Sequence, residues 1–199
     1  MILRSSILDS LDWLHHGFGT RIADLTQDRM ASLKQIHSSI TLHASGAGCV
    51  GEGDALVSRE PGVSVSVRTA DCYPILLADA RSRTVAAVHS GWRGTAARIV
   101  HVALEQMQAS PEHTFAAIGP GISVCCYEVG EDVGKKFGLT GAGRVDLAEA
   151  NKKLLMEAGV PEGNIEILGG CTFCDADRYY SYRREKEEAG RMISFIGVR

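Results

Sequence analysis

The chain has 199 residues, with 21 Lys and Arg against 24 Asp and Glu, a formal net charge of −3 and a hydrophobic share of 45%. That balance gives no electrostatic reason for a nucleic-acid or anionic-membrane partner, and no apolar run approaches a membrane span. Length and even composition predict one domain over residues 1–199. Met1-Ile-Leu-Arg4 lacks the charged and apolar regions of a signal peptide, and six cysteines in such a chain predict reduced thiols or metal ligands in the cytosol.

Residues 1 to 36 are poorly patterned. His16-Gly-Phe-Gly-Thr-Arg21 reads as a turn leaving a short apolar segment, and Arg29 to Ile36 as a short helix or strand. Ser45 to Gly53 is glycine-rich and predicts a loop on turn chemistry. Asp54 to Ser58 reads as a short strand. Val63, Val65 and Val67 alternate with Ser64, Ser66 and Arg68, which predicts a half-buried strand. Thr69-Ala-Asp-Cys72 breaks that alternation, and Tyr73 to Ala78 resumes an apolar run.

The stretch from Thr84 to Val100 organises the chain. Val85 to Val88 is apolar and β-prone, Ser90-Gly-Trp-Arg-Gly94 turns, and Thr95 to Gln108 carries Ile99, Val102, Ala103 and Met107 at helical spacing. Gly94 and Thr95 are the expected N-cap residues. His89 then sits where a strand runs out and Arg93 at or just before a helix start, where α/β proteins hold ligands. Free N–H groups and an Arg there suit an anion such as phosphate.

Further strands are expected at Phe115 to Ile118, Ile165 to Leu168 and Met192 to Val198. A short helix is expected near Asp132 to Phe137, and a longer one capped by Asp146 and stopped at Gly159. Strands outnumber helices but alternate with them. The expectation is a mixed α/β (α+β) layered sandwich, a mixed β-sheet core with outer helices.

Four constellations carry chemistry. His37, Cys72 and His89 leave one position of a tetrahedral zinc open, the catalytic pattern. Their spacing matches no local zinc-finger motif, and a buried Cys with two ordinary histidines fits it equally. Asp71-Cys72 with His89 as base would make a cysteine nucleophile, with His89 and Arg93 supplying an electropositive neighbourhood; a structural turn cysteine is the alternative. Arg21, Arg93, Arg183 and Arg184 suit phosphate or carboxylate capture, and Arg93 stands out because glycines flank it. Cys171-Thr-Phe-Cys174 is half a zinc site or a redox pair, with Cys125-Cys126 a poor substitute for its second half.

Several motifs then fall in a familiar order: Lys34-Gln-Ile-His37, Gly53-Asp-Ala-Leu-Val57, Thr69-Ala-Asp-Cys-Tyr-Pro74, His89-Ser-Gly-Trp-Arg-Gly94, Ile118-Gly-Pro-Gly-Ile122, Tyr127-Glu-Val-Gly130, Cys171-Thr172 and Tyr180-Ser-Tyr-Arg-Arg184. From about His16 to the C-terminus the chain resembles the laccase-domain family, also called YfiH-like or multicopper polyphenol oxidase-like. The resemblance implies a layered α/β sandwich and a zinc held by His37, Cys72 and His89, with copper as the alternative metal. It implies phosphorolysis of adenosine, inosine, guanosine and methylthioadenosine, with adenosine deamination. Purine nucleoside and phosphate would be the partners of a monomer or small homo-oligomer. Cys72, His89 and Arg93 form the expected catalytic set; Arg93, Arg183 and Arg21 the expected substrate-binding set. Editing of a peptidoglycan precursor and copper-dependent phenol oxidation are the other activities described for such proteins.

Two features qualify this. The connection between Arg21 and Lys34 is shorter than the family pattern, which predicts an abbreviated pocket wall. A full multicopper site consumes about ten His ligands and a Cys, whereas the chain has 7 His. A single His/Cys/His metal site is within its means.

Overall fold

The computed structural model describes residues 1–199. Fourteen strands form: β1 (Ile2–Leu3), β2 (Leu14–Gly19), β3 (Ala31–Lys34), β4 (Thr41–His43), β5 (Gly48–Glu52), β6 (Ala55–Ser58), β7 (Ser64–Thr69), β8 (Tyr73–Asp79), β9 (Thr84–Ser90), β10 (Thr114–Ile118), β11 (Glu128–Val129), β12 (Gly143–Arg144), β13 (Ile165–Ile167) and β14 (Met192–Val198). The helices are α1 (Ser6–Asp9), α2 (Trp92–Ala96), α3 (Ile99–Met107), α4 (Glu131–Gly134), α5 (Leu147–Glu157) and α6 (Tyr182–Glu185). Two mixed six-stranded sheets result, ordered β1-β2-β14-β7-β3-β5 and β13-β10-β8-β9-β6-β4, with β11-β12 as a separate ribbon.

The period-2 alternation of strand side chains explains the layering. On β8, Leu76 and Ala78 join Val65, Val67 and Ile196 in the core between the sheets. Ile75 and Leu77 point the other way, into a core closed by Ile99, Ala103 and Met107 of α3 and Leu147 and Leu155 of α5. The second sheet is thus buried on both faces, which is why β8 and β9 read as continuous apolar runs. Layers of sheet, sheet and helix make the mixed α+β sandwich expected from the sequence.

Several local expectations are corrected. His16-Gly-Phe-Gly19 is strand, not turn, because its glycines serve close packing: a Cβ on Gly17 would stand 2.5 Å from Ile2 Cγ2, and one on Gly19 2.7 Å from the Ile193 carbonyl. Within the expected 45–53 loop, Gly48–Glu52 forms an exposed edge strand parallel to β3. Arg29 to Ile36 resolves as strand β3. Strand β7 is not half-buried: only Arg68 on it is exposed, since Ser64 and Ser66 also face protein.

The helix expected over Thr95–Gln108 is two helices, broken at Arg98, whose φ of 56° is left-handed. The N-cap is Gly91, not Gly94 or Thr95. The break has a packing cause. It lets α2 turn Thr95 into a buried polar network while α3 lays Ile99, Val100, Ala103 and Met107 on the sheet. In that network Ser90 Oγ donates to Asn151 Oδ1 at 2.9 Å, and Asn151 Nδ2 donates to Thr95 Oγ1 at 3.1 Å. The short helix begins at Glu131 and continues as a tight turn over Lys135–Phe137. Asp146 caps α5 as expected, accepting from the Glu149 N–H at 3.0 Å, and Gly159 follows its end at φ 92°.

Candidate active site

Strand register assembles the site. In the β8/β9 hairpin Tyr73 pairs with Ser90 and Pro74 with His89. Cys72, just before β8, therefore comes beside His89 and Gly91 at the end of β9. In the β6/β9 pair Ala55 faces Val88, which brings Asp54 against His89. His37 arrives from the other sheet, three residues beyond β3.

Asp54 holds these pieces together. Its carboxylate, fully buried, accepts from the backbone N–H groups of Ile36, His37 and Ser38 at 3.3, 3.0 and 2.6 Å. It also accepts from Ser38 Oγ and His89 Nδ1, each at 2.7 Å. A carboxylate is acceptor-only, so Nδ1 carries a proton, and Nε2 is the ring nitrogen left for the other partners of the cluster. The His37 and His89 rings meet edge-on, 4.9 Å apart. One nitrogen from each and Cys72 Sγ lie within 4.8 Å of one another.

The electrostatics favour charged forms. Burial pushes the Asp54 carboxyl up, but bonds from His89 and Ser38 outweigh it and hold it at about 2. Burial likewise opposes charge on Cys72 and His89. Bonds with His37 and His89 still bring the Cys72 thiol to about 6. Bonds with Asp54 and Cys72 raise His89 to about 9. The cluster is an aspartate–imidazolium–thiolate chain, a donor set suited to a soft divalent metal once the imidazole gives up its Nε2 proton.

Two residues here sit in left-handed backbone, His37 at φ 59° and Asp71 at φ 87°. Such strain persists only where surroundings over-determine it. Asp54 clamps the His37 turn. Asp71 is clamped by Thr172 Oγ1 and the Arg183 N–H, each donating at 2.7 Å. Gly91 is required by close approach: a Cβ there would lie 2.7 Å from Cys72 Sγ.

The cluster opens into a cavity of about 750 Å³. Its walls carry Lys34, Arg68, Arg93, Arg183, Lys186 and Arg191, with Trp92, Tyr127 and Tyr182 as aromatic surfaces. Lys34 is paired to Glu52 at 2.7 Å. Arg93 lies over the Trp92 ring at 4.5 Å, and Arg183 over Tyr127 at 5.5 Å. The structure thus places Arg93 and Arg183 at the cavity beside His37, Cys72 and His89.

Arg21 and Arg184 are not among the lining residues. Arg21 stacks on Tyr180 at 4.7 Å and bonds Glu185 at 3.3 Å, and Arg184 spends its donors on the Thr172, Phe173 and Tyr179 carbonyls. No residue between Arg21 and Lys34 lines the cavity. With α2 only five residues long, the Arg93 guanidinium rather than a helix dipole supplies positive charge. Sequence reasoning named Asp71 only beside Cys72 and did not single out Asp54, Arg68, Lys186 or Arg191. For Asp54 one signal existed: an acid directly ahead of the apolar run Ala55-Leu-Val57.

The profile of the multi-copper polyphenol oxidoreductase laccase family matches residues 19–199. The chain belongs to this family. A relative named purine nucleoside phosphorylase, from Deinococcus radiodurans, is 45% identical over 184 residues, covering 86% of this chain and 71% of the relative. Another, named adenosine deaminase RL5 and from an unknown prokaryotic organism, is 38% identical over 73% of this chain and 61% of its own length. The crystal structure of YlmD from Geobacillus stearothermophilus superposes with a TM-score of 0.89 at 25% identity, covering 100% of this chain and 96% of that one. No helix of the laccase-family chain described here is long and apolar enough to cross a membrane.

Proposed function

We propose that the protein is a zinc-dependent purine nucleoside phosphorylase, acting on adenosine, inosine, guanosine and methylthioadenosine, with adenosine deaminase activity. The observation that carries this reading is the juxtaposition of the His37/Cys72/His89 cluster with a cavity rich in guanidinium and aromatic groups. The names of its relatives point the same way.

The residues divide the work. Arg93 and Arg183 would hold phosphate, which attacks C1′ of the sugar while the bond from C1′ to the base nitrogen breaks. Trp92, Tyr127 and Tyr182 offer ring faces and edges to base and sugar. His37, Cys72 and His89 would hold zinc with one position open, and Asp54 fixes the His89 ring as a second partner. Bound there, zinc supplies Lewis-acid polarisation and no redox chemistry. Multicopper oxidation is disfavoured by the donor count: of seven histidines, only His37 and His89 enter a metal-sized cluster.

A second reading is favoured by the Asp54–His89–Cys72 order, which resembles an acid–base–nucleophile relay. It makes Cys72 the nucleophile of a hydrolase. The deciding experiment incubates protein of known metal content with adenosine or inosine, with and without phosphate. Free base and ribose-1-phosphate formed only with phosphate, and lost on chelation or in His89→Ala, support phosphorolysis. Inosine formed from adenosine without phosphate reports deamination. Hydrolysis that survives chelation and ends on thiol alkylation supports the second reading; no turnover from zinc-loaded protein with phosphate refutes the first, and none from chelated protein refutes the second.

A further inference from the structure

Four of the six cysteines converge away from the cavity. Cys125 and Cys126 lie in the loop after β10, and Cys171 and Cys174 in the loop after β13. These strands are parallel neighbours, Ala116 pairing with Ile165 and Ile118 with Ile167. Both loops therefore leave the same end of the sheet side by side, and an isolated bridge joins Gly121 to Cys171. All four Sγ atoms lie within 4.8 Å of one another. Cys174 Sγ stands 3.3 Å from that of Cys126 and 3.8 Å from that of Cys125. The Ser123 N–H donates to Cys171 Sγ at 3.4 Å.

The geometry separates the two uses of such sulfurs. Disulfides resolve four sulfurs into two couples with S–S near 2.05 Å. Here Cys174 faces two sulfurs at once, and the others close round it. Sulfurs held about 2.3 Å from one zinc stand roughly 3.8 Å apart along a tetrahedral edge, close to the spacing seen. We infer that Cys125, Cys126, Cys171 and Cys174 bind a structural zinc ion as four thiolates. Four protein ligands leave no open position, which is the structural pattern, and thiolate donors select zinc over magnesium or calcium. Cys125 and Cys174 are exposed and give the ion an entry path.

The site would clasp two irregular loops distant in sequence. Each loop also touches the cavity: Tyr127, next to Cys126, lines it, and Thr172, next to Cys171, donates to Asp71 at 2.7 Å. The clasp does not depend on what reaction the cavity performs.

The test uses the full chain with His37→Ala and His89→Ala combined, which leaves the four-cysteine cluster as the metal site. Titrated with cobalt(II) under reducing conditions, this variant should bind one equivalent. It should show the intense near-ultraviolet thiolate-to-cobalt absorption of a tetrahedral four-sulfur site, abolished by one equivalent of zinc. Adding Cys174→Ser should remove that absorption. In parallel, elemental analysis of the unaltered protein should give two zinc ions per chain, and one in Cys174→Ser. Absence of the cobalt absorption, iron in place of zinc, or a Cys126–Cys174 disulfide in freshly isolated protein would overturn the assignment. Should the His variant fail to fold, the zinc count of the unaltered chain decides: a single zinc that Cys174→Ser retains overturns it as well.

Discussion

Asp54 and His89 are joined twice: the His89 backbone N–H donates to the Asp54 carbonyl at 2.7 Å, and His89 Nδ1 donates to Asp54 Oδ1 at 2.7 Å. The double link fixes both where the imidazole stands and which nitrogen it offers. Outer partners of this type are worth about 10- to 100-fold in metal affinity. Asp54→Asn should therefore weaken zinc binding by about that factor, measured by competition with a chromophoric chelator. Unchanged affinity would remove Asp54 from the orienting role.

The pH dependence of the metal-free protein follows from the three shifted groups. Asp54, lowered from 3.8 to about 2, contributes about 2 kcal/mol above pH 4, lost as pH falls through 2. His89, raised from 6.5 to about 9, stabilises fully below 6.5 and stops as pH rises through 9. Cys72, lowered from 9.0 to about 6, stabilises fully above 9 and stops as pH falls through 6. Between 6.5 and 9 the last two oppose each other. The folded pair is imidazolium and thiolate, the unfolded pair imidazole and thiol, with equal proton counts. Urea unfolding of chelator-treated protein should be nearly flat across that window as far as this site decides it. In Cys72→Ala the compensation is gone, so stability should fall through the window. Parallel profiles for the two proteins would refute the pairing.

Arg93 meets an aromatic face rather than a carboxylate, which leaves its donors for a ligand. Charge-assisted hydrogen bonds contribute about 1.5–3 kcal/mol. Arg93→Ala should raise the phosphate KM about 10- to 100-fold and leave the nucleoside KM within a few-fold. Equal changes in both constants would displace phosphate from this residue.

Gly91→Ala tests the close approach to Cys72. The added methyl would meet Sγ at 2.7 Å, and the thiol must move. Expected is a folded protein, by circular dichroism, that retains less zinc at the His37/Cys72/His89 cluster than the unaltered chain. Full retention would show that the turn yields instead.

Asn151 is fully buried and joins α5 to Ser90 and Thr95. Replacing it with Ala removes its bonds to both hydroxyls and to the Leu147 carbonyl, and leaves Ser90 and Thr95 only each other and the Gly91 carbonyl. A loss of about 1–3 kcal/mol in urea unfolding is expected, with zinc affinity within a few-fold of the parent. No loss would mean that the bonds the two hydroxyls keep are enough.

Legibility in the sequence followed burial and motif. Strands β8 and β9 were readable because apolar runs are what a sheet covered on both faces requires, and β14 because its Met192–Val198 run is apolar and β-prone. His37, Cys72 and His89 were readable as types, and the family pattern singled them out as a set. Strands β2 and β5 were hidden by glycines that serve packing or edge geometry. The helix break was hidden because Arg98, unlike Gly or Asn, gives no signal of a left-handed residue. Arg68, Lys186 and Arg191 come from separate segments and meet only through β7/β14 pairing and the loop ahead of β14. Asp54 stood in the Gly53-Asp-Ala-Leu-Val57 motif, but its contact with His89 comes from β6/β9 register, which that motif does not encode.

The left-handed turn at His37 is pinned by protein bonds of its own. A ligand whose backbone is already pinned by Asp54 has little conformational freedom left to lose when an ion arrives. Chelation should therefore leave amide hydrogen exchange of residues 36–38 as slow as in metal-loaded protein, and faster exchange would show that an ion orders the turn.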